Sequence, residues 1–234
     1  MLPARRHEIS RLEAFSDAVF GFALALLAVS ADPPTSYTEL MDRMYGAASF
    51  ACCFALLVWI WYEHNLYFRR YGLQDGVTAT LNGALLFVVL FYVYPLKFMF
   101  DSLFARFLPP SSTNPIVGMA FWQLGNASAV YGAGFMVLFL LFAALYARAY
   151  ARRDEIGLSP LEVFDARAFI AHHLTSAAVG AIALIVALAA PLTLVFVSPM
   201  CFALMGPAHW LIGIIAARRR AALVALVPHE TAGA

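Results

Sequence analysis

Residues 11–31 read RLEAFSDAVFGFALALLAVSA, and this stretch decides the fold. Its uncharged part begins only after Asp17, and as a helix that part covers about 21 Å, less than the roughly 30 Å of a hydrocarbon core. Counting from Arg11 lengthens the helix to about 31 Å. We therefore predict a membrane-spanning helix that carries Ser16 and Asp17 into the membrane, where a carboxylate must be hydrogen-bonded within the protein or contact water.

The rest of the chain has the same apolar character, since 63% of its 234 residues are hydrophobic and only 12% are charged. A soluble domain carries about twice that share of charge, so most of this chain is solvated by lipid. Runs such as Ala23 to Leu27 are apolar on every face, which favours helices over the alternating strands of a membrane barrel. We predict one all-α transmembrane domain over residues 1–234. Its six spans are Arg11 to Ala31, Glu39 to His64, Val77 to Phe100, Val117 to Tyr146, Arg167 to Ala190 and Leu192 to Ala217.

The positive charges predict the orientation of this bundle, because Lys and Arg near span ends are retained on the cytoplasmic side. Every second connection is basic, so we expect an even number of spans with the N and C termini both cytoplasmic. The residues concerned are Arg5, Arg6, Arg11, Arg69, Arg70, Arg148, Arg152, Arg153, Arg167, Arg218, Arg219 and Arg220.

A cleaved signal peptide is the competing interpretation of the N-terminus, because Arg5 and Arg6 precede an apolar run that ends in small residues. Glu13 and Asp17 stand at the edge of what would be its apolar region. Removing the segment would leave an odd number of spans. We expect a retained first span.

The first span carries two parallel stripes at helical spacing. The small residues are Ala14, Ala18, Gly21, Ala25 and Ala28, and the bulky ones are Phe15, Val19, Phe22, Leu26 and Val29. Small side chains allow close approach of another helix, and packing alone explains such a pattern without any pore. Asp17 is about 200° around the helix from Phe15, so it points nearly away from the bulky stripe.

Other polar residues predict structure rather than chemistry. Lys97 and Asp101 are one turn apart and should pair. We expect His172 and His173 at a solvated or interfacial helix start, and His209 buried against a carbonyl freed by Pro207. No histidine, cysteine or carboxylate spacing predicts a resident metal, a cofactor or a nucleic-acid site.

The polar start of the first span also carries a resemblance. Arg11, Phe15, Ser16 and Asp17 form an Arg-x-x-x-Phe-Ser-Asp string that resembles the signature of the transmembrane protein 175 family of potassium channels. Trp61, His64 and Phe68 are similar to the family's Trp-x-x-His pattern with a downstream Phe, and Asn82 and Pro95 occupy familiar places in the third span. The single signature and six spans resemble the prokaryotic branch.

The resemblance implies a homotetramer in which the first span of each subunit lines a central pore. Its constriction would fall on Phe22, Leu26 and Val29, and potassium ions would occupy the pore only transiently. The resemblance also implies a signature network that holds the first span against the second and third, made of Arg11, Phe15, Ser16, Asp17, Trp61 and His64. The family usually has Ile or Leu at Phe22 and Thr at Ala25, so an aromatic here would close the pore more tightly.

We therefore expect a potassium-permeable channel of the cell membrane with passive ion flow, which is not an enzyme and has no cofactor. Its partners would be potassium ions, the lipid bilayer and copies of itself, with no nucleic acid. A proton- or cation-coupled secondary transporter using Asp17 is the alternative, although the chain lacks the internal repeat of most carriers. An intramembrane enzyme or haem protein is a third class, but it would need convergent ligands that this sequence scatters.

Overall fold

The structure, a computed structural model, describes residues 9–29, 33–104, 119–189 and 197–226, and all regular secondary structure within these ranges is helical. The elements are α1 (Arg11–Val29), α2 (Tyr37–Tyr45), α3 (Ala47–Tyr71), α4 (Gly76–Phe104), α5 (Phe121–Ala151), α6 (Pro160–Ala189), α7 (Val197–Met200), a 3-10 turn (Cys201–Leu204) and α8 (Met205–Leu226). Six segments are long and apolar enough to cross a membrane, the last being Val197–Val224. The predicted all-helical, six-span class is thus confirmed.

The predicted second span, Glu39 to His64, is interrupted at Gly46 and extends further at its end. Glycine is among the poorest helix formers, and here it separates the amphipathic α2 from the apolar α3. α3 continues beyond His64 because Tyr67, Phe68 and Tyr71 are all buried. It stops at Gly72, whose φ of 60° lets its N–H bond the carbonyl of Phe68 at 2.9 Å.

Several spans also run further into polar sequence than predicted. α5 ends at Ala151 rather than Tyr146, α6 begins at Pro160 rather than Arg167, and α8 runs through Arg218 to Arg220 as far as Leu226. Arginine is a good helix former, so the helices continue beyond the apolar run. Pro207 stands in the first turn of α8, where its missing N–H costs no hydrogen bond.

The core of the bundle is the antiparallel contact between α5 and α6. Gly132 and Gly180 allow it, because a Cβ on Gly180 would lie 2.8 Å from the backbone nitrogen of Met136, and one on Gly132 would lie 2.9 Å from that of Leu184. Around this crossing, α4 packs on α5, while α1 packs on α3 and α4. α8 packs mainly on α6 and the 3-10 turn.

We expect Gly180→Ala to lower the free energy of unfolding by about 2 kcal/mol or more, because the added methyl group must push two backbones apart. For a chain of this size the thermal midpoint should fall by about 4–8 °C. The matched control is Gly213→Ala on α8, where nothing lies within 4 Å of the added carbon. Thermal unfolding in detergent checks both, and equal midpoints for the two variants would show that the crossing tolerates a methyl group.

Asp75 joins the start of α4 to the end of α5. Its Oδ1 accepts the backbone N–H of Thr78 at 2.8 Å, and its Oδ2 accepts Nε and Nη2 of Arg148 at 3.0 and 2.5 Å. Arg152 lies 3.6 Å from the same oxygen. The Arg148 guanidinium, with the Thr78 amide, holds the pKa of the Asp75 carboxyl well below its usual range.

A carboxyl pKa that is lower in the folded than in the unfolded chain stabilises the fold. This stabilisation is complete above the unfolded pKa of about 3.9 and is lost progressively as the pH falls from there through the lower pKa of the folded chain. Asp75→Asn keeps a helix-capping side chain but removes the charge. We expect it to cost about 1 kcal/mol at neutral pH, since the ion pair is only partly exposed. Thermal midpoints of the two proteins should differ at pH 7, and the difference should narrow progressively from about pH 4 to pH 3 and below. A constant difference across that range would contradict the ion-pair explanation.

Candidate pore helix and its anchoring network

α1 has two faces of different character. Ser16, Phe20, Ala23 and Leu27 follow one stripe and are buried, with at most 2% of each residue exposed. This stripe packs against α3 and α4. The opposite face is open, and α1 therefore stands at the edge of the helical bundle.

The open face carries most of the predicted constriction. Phe22 and Val29 are 57% and 76% exposed, and Phe15, about two turns before Phe22, is 60% exposed. Leu26 is half-buried and packs against the core of the bundle. Two of the three predicted constriction residues are thus exposed on the open face, and the third lies at its margin.

The stripe of small residues is exposed as well. Every member of the stripe from Ala14 to Ala28 is exposed, and nothing lies within 4 Å of a Cβ built on Gly21. Within the described part of the chain no helix therefore makes the close approach that these residues permit.

The buried face of α1 is anchored by a chain of hydrogen bonds centred on Asn82 of α4. His64 Nε2 lies 2.7 Å from Asn82 Oδ1, and Asn82 Nδ2 donates to Ser16 Oγ at 2.9 Å. Ser16 in turn donates to the carbonyl of Leu12 at 2.8 Å. Because Ser16 uses its only proton on Leu12, Asn82 must donate to it, and His64 must donate to Asn82 from Nε2.

These hydrogen bonds join α1, α3 and α4 in a nearly dry environment. Ser16, His64 and Asn82 are each at most 1% exposed, so every unsatisfied group would carry a full desolvation penalty. The rings of Phe20 and Phe68 flank the imidazole at centroid distances of 5.3 and 4.7 Å. The arrangement fixes both the rotation and the height of α1 relative to α3 and α4.

A second contact holds the carboxylate of the signature. Trp61 Nε1 donates to Asp17 Oδ1 at 2.8 Å, again between α3 and α1. Asp17 is partly buried and lies on the side of the helix away from Phe15, as predicted from their spacing. The structure thus brings Ser16, Asp17, Trp61 and His64 together in two branches.

Arg11 and Phe15, the other two residues of the predicted network, lie outside both branches. Both are exposed, and in the described ranges neither forms a hydrogen bond with the other signature residues. α1 begins instead with a reciprocal cap that was not predicted, in which the Ser10 amide donates to Glu13 Oε2 at 2.8 Å and the Glu13 amide donates to Ser10 Oγ at 3.2 Å. The Ser-x-x-Glu spacing was a readable signal for this cap.

The sequence of this part of the chain matches that of known proteins. Residues 11–92 match the family described as the endosomal/lysosomal potassium channel TMEM175, and this range contains both branches of the network. A protein of Marivirga tractuosa named as a potassium channel is 38% identical over 197 residues, which cover 80% of this chain and 78% of that protein. This chain belongs to the TMEM175 family. The resemblance predicted from the polar start of α1 is thereby confirmed.

Solved structures of TMEM175 proteins extend the likeness to the whole fold. A crystal structure of a variant of the potassium channel MtTMEM175, bound to a nanobody–MBP fusion, matches with a TM-score of 0.81 at 34% identity, covering 92% of this chain and 96% of that one. A TMEM175 homolog from Chamaesiphon minutus, titled a lysosomal potassium-selective channel, has a TM-score of 0.58 at 21% identity, covers 88% and 99%, and shows the fold alone. TMEM175 proteins are channels, a kind of protein that is not an enzyme.

Proposed function

We propose that this chain forms a homotetrameric, potassium-permeable channel in the cell membrane, through which ions flow passively along a pore lined by α1. The observation that carries this proposal is the division of α1. Its polar side chains are held against α3 and α4, while Phe15, Phe22 and Val29 project from the subunit. The names of the curated relatives, which are potassium channels, agree with it.

Lipid is the alternative to other subunits as the environment of the open face. The small residues of α1 favour contact with other subunits. A lipid-facing surface gains little from alanine and glycine, whereas helices that approach closely need them. In α1 the exposed small stripe runs directly beside the exposed bulky one. We infer that the small stripe contacts a neighbouring α1 and that the bulky stripe faces the pore.

The proposed constriction is a series of apolar rings. Phe22, Leu26 and Val29 follow one stripe at steps of about 6 and 4.5 Å along the helix. An apolar ring conducts only when it is wide enough to remain wet, so these residues would act as gate and filter together. Phe22 has the largest side chain of the three and would form the narrowest ring.

The network around Asn82 would set the position of this stripe. Since the network holds α1 from behind, Asp17 and Ser16 stay out of the ion path. The alternative of a carrier that uses Asp17 is not favoured, because the relatives are channels and the carboxylate is already held by Trp61.

The ion pairs support the proposed orientation, with both termini cytoplasmic. Asp75, in the turn between α3 and α4, pairs with Arg148 at the end of α5, and Arg220 near the end of α8 pairs with Asp165 near the start of α6. The basic connections therefore gather at one end of the bundle, as a single cytoplasmic side requires.

Potassium flux from liposomes that contain the purified protein tests the function. We expect a potassium gradient alone to drive flux, with no dependence on a proton gradient. Native mass spectrometry of the same sample should give a tetramer. A well-folded monomer, or uptake that requires a proton gradient, would contradict the proposal.

A further inference from the structure

Polar contacts at three levels connect the sixth span to α6 along an interface with little burial. Arg220 donates to Asp165 at 3.0 Å, and Ser198 donates to the carbonyl of Ala183 at 2.8 Å. Between them, on α6 and α8, His172 Nδ1 lies 2.9 Å from His209 Nδ1. Only 6% of the most apolar window of this span is buried, so each polar contact matters to its attachment.

The geometry of the histidine pair allows one proton between the two Nδ1 atoms. Their planes differ by 13° and their centroids are 5.1 Å apart, much further than the two Nδ1 atoms. The rings therefore meet edge to edge, with each Nδ1 directed at the other. One nitrogen must donate and the other must accept, since two N–H groups cannot share this contact.

Ser176 completes a neutral arrangement. Its Oγ lies 2.9 Å from His209 Nε2 and 3.3 Å from the carbonyl of His172, to which it can donate. In that case His209 donates to Ser176 from Nε2 and accepts the proton of His172 at Nδ1. All of these groups are then satisfied with both imidazoles uncharged.

The surroundings offer nothing to stabilise a second proton. His173 turns towards α5, where its ring packs on Phe142 and Tyr146 at 5.1 Å. The Asp165–Arg220 pair is seven residues away from His172, about 10 Å along the helix, and is satisfied internally. On the 3-10 turn, Cys201 donates to the carbonyl of Val197. Among the described residues, the hydrogen bonds of the pair join His172 to His209 and His209 to Ser176, and no ion pair joins a carboxylate to either ring.

We propose that His172 and His209 form a proton-binding site that determines how firmly α8 is attached to α6. At neutral pH the pair shares one proton and joins the helices. The joined rings cannot both carry a proton on the facing Nδ1 atoms, whereas separated rings can each take one up, so acid favours the separated state and α8 loosens from α6. The proposal stands independently of the channel function, because it concerns only these two helices.

Hydrogen exchange of residues 205–226 in lipid nanodiscs tests it, with His172→Asn as the informative variant. The asparagine amide nitrogen replaces Nδ1 and can donate to His209, but it cannot become charged. After correction for intrinsic exchange, we expect wild-type α8 to lose protection about threefold or more between pH 7.5 and pH 5, and the variant to lose much less. Thr175→Ala removes a hydroxyl that bonds the carbonyl of Ala171 within α6, so it leaves the pair in place and should keep the wild-type pH dependence.

Equal loss of protection in the wild type and in His172→Asn would overturn the proposal, and so would protection in the wild type that does not change with pH. If His172→Asn does not fold, His209→Asn supports the same comparison, because it too leaves one imidazole facing an uncharged amide. Exchange of residues 76–104 in α4 serves as the internal reference, which we expect to be unchanged.

Discussion

Phe22→Ser is expected to raise potassium flux about tenfold, which corresponds to lowering the barrier by about 1.4 kcal/mol. Phe22 is the largest of the three proposed constriction side chains, so it would form the narrowest and driest ring of the constriction. A small hydroxyl side chain widens the ring and keeps it wet. Discrimination of potassium from sodium should fall at the same time, since a wider ring imposes less dehydration. Flux from liposomes under potassium and sodium gradients measures both quantities.

Phe87→Ser is the matched control, because Phe87 lies on α4 and is 69% exposed, slightly more than Phe22. The same chemical change there should leave flux and selectivity at wild-type values. A general loosening of the membrane protein would affect both variants. Identical flux and selectivity in Phe22→Ser and in the wild type would show that Phe22 does not line the ion path.

Asn82→Leu is expected to lower the free energy of unfolding by about 2–3 kcal/mol and to abolish most of the flux. The leucine leaves His64 without its acceptor and Ser16 without its donor, both in a buried site between three helices. With the network broken, α1 is no longer held at one rotation, and its bulky stripe is displaced from the pore axis. Thermal unfolding in detergent and liposome flux measure the two effects separately.

Two further variants serve as controls for Asn82→Leu. Ser16→Ala removes the bonds that Ser16 makes with Asn82 and with the carbonyl of Leu12, but it keeps the contact between His64 and Asn82. A smaller loss of about 1 kcal/mol is therefore expected. Asn126→Leu makes the same substitution at an exposed position of α5 and should change neither stability nor flux. A loss of stability in Asn82→Leu with full flux would show that the network supports the fold without positioning the pore helix.

Patterning along the chain was sufficient to predict the faces of α1. Its period of 3.6 residues placed Asp17 opposite Phe15, and the structure has this arrangement because an unpaired carboxylate is too costly in lipid. The anchoring partner Asn82 was harder to assign from sequence. One buried amide in a long apolar helix is a signal, but its partners lie 18 and 66 residues away in the chain, on helices whose rotation the sequence does not determine.

The expectations for the other histidines were wrong for a related reason. His173 was expected at a solvated or interfacial helix start, yet it is only 4% exposed, because α6 begins seven residues earlier than predicted and carries it into the bundle. His209 was expected to bond a carbonyl freed by Pro207, but Pro207 lies in the first turn of α8 and frees no mid-helix carbonyl. His209 bonds side chains of α6 instead. The predicted pair of Lys97 and Asp101, which needs only local spacing, is confirmed at 2.7 Å.

Thiol accessibility along α1 tests the central claim, that this helix lines the pore. The native cysteines Cys52, Cys53 and Cys201 are first replaced, and Phe22→Cys, Val29→Cys and the α4 control Phe87→Cys are then made singly. A charged thiol reagent should block potassium flux at both α1 positions, because the modified side chain would stand in the ion path, and should leave the control unaffected. Unchanged flux after complete modification of Phe22→Cys and Val29→Cys would contradict the account.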